Sequence, residues 1–167
     1  MTTALILLGV QGLLGAFDTL YYHEWRLRLP AQPTARRELL LHAARDFAYA
    51  LLFGTIGWVT WNGLLAWALA SLLVVEIFLT LWDFVEEDRT RRLPAGERVM
   101  HAVMGIVYGL FLANLAPHLV RWSSLPTRFA PAAHGWLAWA LTLCAFGVFL
   151  SGLRDAASAL RRPLPLG

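Results

Sequence analysis

The sequence predicts an all-α integral membrane protein: one domain over residues 1–167 with five transmembrane helices. Helices 1–4 would form a bundle of two pseudo-repeated hairpins, with a fifth helix packed against it. Three observations carry this prediction. Hydrophobic residues make up 58% of the chain and charged residues 15%, with mean hydropathy +0.56, whereas a soluble domain is roughly 45–50% apolar and about 25% charged. Five apolar runs approach the ~20 residues that span a bilayer. Twelve of the fourteen arginines fall on the loops of one side, and lysine is absent.

The first run covers residues 3–22. It lacks a basic start, and Asp18 is followed by Tyr21 and Tyr22 in place of a small-residue cleavage site, so it reads as a span and not a cleaved leader. Leu29-Pro30 and Pro33-Thr34 break the chain before the second run, 39–60. Trp61-Asn62-Gly63 reads as a tight turn into the third, 64–85. Leu93-Pro94 interrupts the chain before the fourth run, 99–120. The fifth, 135–153, carries no charged side chain, and its end (Arg154, Asp155, Arg161, Arg162) is expected to lie along the membrane surface. Gly54, Gly57, Gly105 and Gly109 would let helices 2 and 4 approach their neighbours closely, and the last two, beside Tyr108, suit either tight packing or room for a ligand. His118 and His134, with Arg121, Trp122, Arg128, Trp136 and Trp139, read as an interfacial belt.

The arginines orient the bundle. By the positive-inside rule the N-terminus is expected outside and the C-terminus in the cytoplasm, in a bacterial inner membrane. The pI of about 9.6 is then a topology signal. It does not point to nucleic acid, because no basic patch with interleaved stacking aromatics exists outside the loops. Cys144 is the single cysteine and sits in an apolar run, which excludes a disulfide framework within the chain.

Two stretches share one pattern: Glu38-x3-His42-Ala43-x5-Tyr49-x-Leu51 and Glu97-x3-His101-Ala102-x5-Tyr108-x-Leu110. On a helix, offsets of four and eleven turn the chain by about 400° and 1100°, which places Glu, His and Tyr within roughly 40° on one stripe. Helix 3 adds a stripe of Glu76, Thr80, Asp83 and Glu87, and helix 1 a shorter one of Asp18 and Tyr22 ending at His23-Glu24. Asp83 and Glu24 are expected near the histidine level, Asp18 and Glu76 near Tyr49 and Tyr108. A charge near the hydrocarbon midplane costs about 2.5–3.5 kcal/mol even on lenient insertion scales, so Asp18, Glu76, Asp83, His42 and His101 call for partners or a function. Glu86, Glu87, Asp88 and the loop arginines read as solvated or headgroup-facing ion pairs.

Paired glutamate–histidine helices beside two carboxylate helices are the donor set of a di-metal carboxylate bundle. In this the segment over residues 18–108 resembles the ferritin-like membrane di-iron oxidases, such as the alternative oxidases. That family spaces its ligands Glu-x-x-His, and here both copies read Glu-x-x-x-His. The chain also resembles small bacterial multi-pass membrane proteins of unassigned activity, in its Arg-Glu-Leu-x-Leu-His and Trp-Asp-Phe-x-Glu-Glu-Asp segments. The first resemblance implies two iron or manganese ions held by Glu38, His42, Glu97 and His101, completed by Asp83 and by Glu24 or Asp18. Tyr49 and Tyr108 would serve as hydrogen-bond donors or radical relays in an oxidoreductase. Its substrate would be a lipid or quinone-like molecule from the cytoplasmic leaflet. Two other readings stay open. In one, His42 and His101 are axial ligands of a haem b. In the other, they hydrogen-bond Asp83 and Asp18 and tie helices together in a non-enzymatic scaffold, accessory subunit or lipid-binding protein. The orientation is testable directly: a reporter active only in the cytoplasm, fused after Gly167, should be active, and one active only outside should be silent.

Overall fold

A computed structural model of the chain describes residues 1–32 and 34–161, so Arg162, expected at the surface-lying end, falls outside it. Helix α1 (Thr2–Phe17) continues without a break as a π-helical segment (Asp18–Arg26), followed by a short 3-10 turn (Leu29–Ala31). The remaining elements are α2 (Arg36–Ile56), strand β1 (Val59–Asn62), α3 (Leu64–Thr90), α4 (Ala95–Ser123), β2 (Arg128–Pro131) and α5 (Trp136–Leu160). Five helical stretches are long and apolar enough to cross a membrane.

The expected turn at Trp61-Asn62-Gly63 is instead the end of a strand. β1 pairs antiparallel with β2, Val59 opposite Pro131 and Asn62 opposite Arg128. Valine, threonine and tryptophan favour a pleated surface, and Trp61 meets Phe129 edge to face at 5.0 Å. The strands tie the α2–α3 and α4–α5 connections together at one end of the bundle. Gly63 follows at φ 62°, and a side chain there would collide with Thr127.

Packing differs from two hairpins with a peripheral fifth helix. The helices form a closed ring in the order α1, α5, α2, α3, α4, with α5 inserted between α1 and α2. Small residues explain the choice. A Cβ on Gly57 would lie 2.8 Å from Ala138 Cα, and one on Gly152 would lie 3.4 Å from the Ala43 carbonyl oxygen. α2 and α5 therefore make the most extensive helix contact.

The helices also run further than the apolar periodicity indicated, at the end away from the strands. α3 reaches Thr90, α4 starts at Ala95 and α5 continues to Leu160. Glu86, Glu87, Glu97 and Asp155 on these extensions are buried inside the bundle, while Asp88, Arg89, Arg92 and Arg98 are exposed as expected. Asp155 is 2% exposed and Ala159 packs with Leu29, Ala35 and Leu39, so one face of the end of α5 is buried against the bundle, while Leu160 and Arg161 stay exposed.

Three layers follow along the bundle axis. Near the strands, Leu5, Leu8, Ile56, Leu69, Phe111 and Leu115 form an apolar plug. At the opposite end lies a polar cluster. Between them is a cavity of about 820 Å³ lined by residues of all five helices. The glycines divide accordingly: a Cβ on Gly105 or Gly109 meets nothing within 4 Å, and both line the cavity. Gly57→Ala should therefore destabilise the protein by about 1–3 kcal/mol through overpacking, whereas Gly105→Ala should be neutral or stabilising by up to about 1 kcal/mol from its helix preference. Thermal unfolding in detergent compares the two.

Candidate metal centre

The polar cluster gathers side chains from α1's π-helical extension, α2, α3, α4 and the α3–α4 link. Its five carboxylates, Asp18, Glu38, Asp83, Glu87 and Glu97, are each 2% exposed or less. Three histidines, His23, His42 and His101, stand among them.

Two groups of donor atoms converge. In one, His23, Glu87, Glu97 and His101 each offer an atom within 4.8 Å of the others. In the second, Glu38, His42 and Glu87 do the same, so Glu87 belongs to both. His101 Nδ1 lies 3.5 Å from Glu87 Oε2, and His101 Nε2 hydrogen-bonds Asp18 Oδ2 at 3.3 Å. His23 Nε2 is 3.5 Å from both Asp18 Oδ2 and Glu97 Oε1. His42 Nε2 is 3.0 Å from Asp83 Oδ2, yet the angle there does not make a hydrogen bond, and His42 Nε2 is left without one. His23 Nε2, Glu38 Oε2 and Glu87 Oε2 are likewise buried without a hydrogen-bond partner. Lone pairs aimed at common points rather than at donors are what ligands of a shared cation present.

Arg91 crosses the middle. Its guanidinium reaches Glu97 at 2.7 Å, Glu38 at 3.0 Å and Glu87 at 3.1 Å. Burial opposes the charge on Arg91, but the hydrogen bonds it donates to Glu97 and the charge of Glu38 outweigh it and hold the group further above its ordinary range. Arg45 donates to Asp83 at 3.0 Å. Five carboxylates thus face two guanidinium groups and three imidazoles.

The expected residues are distributed as follows. Glu38, His42, Glu97, His101 and Asp83 meet in the cluster. Asp18 joins them at the histidine level, not at the tyrosine level, and brings His23 with it. The π winding is the reason. Residues five apart diverge by about 140° on an α-helix, but i→i+5 hydrogen bonding returns residue i+5 to the same side. Glu24, expected as a ligand, is turned away: it pairs with Arg154 at 2.7 Å and a third of its side chain is exposed (32%). Tyr49 and Tyr108 are not at the centre. They line the cavity beside Glu76, their rings 5.9 Å apart.

Sequence reasoning missed Glu87, Arg91, His23 and Asp155 as participants, and Glu86 as a buried neighbour. Glu87 and Glu86 read as solvated, but they are 0% and 6% exposed. Glu87 was already on the helix 3 stripe, a sufficient signal. Arg91 read as a headgroup-facing arginine, and His23 required the π segment. Asp155 places Oδ2 3.8 Å from His42 Nδ1. At the opposite end His134, outside the spans, is lowered from its ordinary value by burial and by the N-terminal ammonium group. Comparison with protein-family models, with curated proteins and with solved structures gives no match for this chain.

Arg91→Met would strand three buried carboxylates and should cost about 3–5 kcal/mol. Arg92→Met, at an exposed neighbour, should change stability by less than about 0.5 kcal/mol. Chemical denaturation in mixed micelles measures both.

Proposed function

We propose that the protein is a membrane-embedded, metal-dependent oxidoreductase that holds two transition-metal ions, iron or manganese, and acts on a hydrophobic substrate reaching it from the cytoplasmic leaflet. The observation that carries this reading is Glu87, one carboxylate common to two converging groups of histidine and glutamate donors. Mixed imidazole and carboxylate donors suit iron and manganese. Two divalent ions would also be offset by the buried carboxylates, which outnumber the guanidinium groups among them.

One ion would be held by His23, Glu97 and His101 and the other by Glu38 and His42, with Glu87 between them. Bound iron or manganese with open positions supplies redox chemistry with oxygen. Asp18 orients the imidazole of His101 through its hydrogen bond to Nε2, as outer partners of ligating histidines do. Arg91 holds Glu38, Glu87 and Glu97 directed inward through its guanidinium contacts. Tyr49 and Tyr108, across the cavity, are placed to donate hydrogen bonds or relay electrons toward a substrate between them and the centre.

A specific observation favours the scaffold alternative. Arg91 and the His101–Asp18 hydrogen bond cross-link the helices without any ion. The haem b reading has less support, since His23 stacks on the His42 ring at 4.7 Å where a macrocycle would need that space. Elemental analysis of detergent-purified protein decides. About two transition-metal ions per chain are expected. His23→Ala or His42→Ala should each lower the content, and Glu87→Ala should lower it most. A colourless, metal-free protein with the variants still folded would leave the scaffold, and an intense Soret band would assign haem.

A further inference from the structure

The cavity between the plug and the polar cluster is occupied by no side chain, and its composition describes a ligand. Its walls are largely apolar. Glycines from three helices, Gly15 of α1, Gly105 and Gly109 of α4 and Gly147 of α5, line it, and a Cβ on any of them would meet nothing within 4 Å. The backbone thus stands back from this space where larger residues would fill it. At about 820 Å³ it lies within the ~300–1,000 Å³ usual for small-molecule sites. Four leucines that line it, Leu13 and Leu20 of α1 and Leu143 and Leu150 of α5, are at least 48% exposed, so the cavity reaches the bundle's apolar exterior between these helices.

Arg45 and Arg154 line the cavity toward the charged end, already paired with Asp83 and with Glu24 and Asp155, and a further polar group lines its inner wall. Glu76 Oε2, Gln11 Oε1 and the Tyr108 hydroxyl line the cavity and are buried without a hydrogen-bond partner, on residues 3%, 6% and 9% exposed. The other Glu76 oxygen accepts from the Thr80 hydroxyl at 2.8 Å. Two of the unpaired atoms are acceptors, and one is a hydroxyl able to donate or accept. Leaving such groups unpaired costs about 1–3 kcal/mol each, which a ligand with a matching hydroxyl removes. An anionic head would face the Glu76 carboxylate, so a phosphate is disfavoured there. The surrounding rings, Tyr49 against Phe53 at 5.6 Å and Tyr108 against Phe111 at 5.6 Å, offer aromatic surfaces to a planar group.

We infer that the cavity binds a neutral, membrane-soluble phenol, its hydroxyl donating to Glu76 and its ring lying among Tyr49, Phe53 and Tyr108, with the apolar tail leaving between α1 and α5. This deepens the proposed function by specifying the substrate class, and it rests on that reading for the chemistry but not for the binding.

The experiment measures retention of three probes, a nonylphenol, dodecanol and phosphatidylglycerol, by full-length protein in detergent, using native mass spectrometry. Metal content is determined on the same sample, so a metal-free protein that binds the phenol overturns the oxidoreductase reading alone, and a metal-loaded protein that ignores the phenol overturns this inference alone. Retention of about one nonylphenol per chain is expected, in preference to the other two probes. Glu76→Gln and Tyr108→Phe should each weaken it by about tenfold. Gly105→Phe, which fills the space, should block it while the variant keeps its thermal transition. Equal retention of all three probes, or retention indifferent to both Glu76→Gln and Tyr108→Phe, overturns the proposal.

Discussion

The concentration of carboxylates at one end of an apolar bundle is the constraint around which the rest is arranged. Each buried carboxylate needs a cation or a donor, since an isolated charge in this environment costs several kcal/mol. Arg91 answers part of that need by bending back from the α3–α4 link into Glu38, Glu87 and Glu97. Arg45 does the same for Asp83. The helices extend past their apolar runs because their polar ends find partners inside. The link, α2, α3 and α4 are therefore held by the same set of charges.

The π-helical segment serves the same requirement. Nine residues of i→i+5 winding, Asp18–Arg26, are unusual in length, since such winding is mostly confined to single-turn bulges that mark functional sites. It turns Asp18, Tyr22 and His23 inward together. Tyr22 then abuts Gly96 at the start of α4, where a larger residue would collide with its hydroxyl. Backbone irregularity, polar burial and close helix approach thus coincide at one place.

Packing elsewhere leaves room rather than closing it. The contact between α2 and α5 is tight because Gly57 and Gly152 admit the neighbouring backbone. Gly15 of α1 and Gly105 and Gly109 of α4, which line the cavity, face open space. One residue type thus does opposite work in two parts of the bundle. The result is a closely packed end, a cavity and a charged end in order along the bundle.

The sequence by itself determined the five apolar helices, and it placed Glu38, His42, Glu97, His101 and Asp83 in one region. These follow from composition and from helical periodicity, which are local properties of the chain. Tertiary structure decided the helix order, because inserting α5 between α1 and α2 depends on which small residues meet across space. It also decided that Glu87 and Arg91 are interior, since a charge near a helix end looks the same in sequence whether it meets water or a partner. His23 entered and Glu24 left for a related reason: periodicity presumes α winding, and only the folded backbone reveals a wider turn.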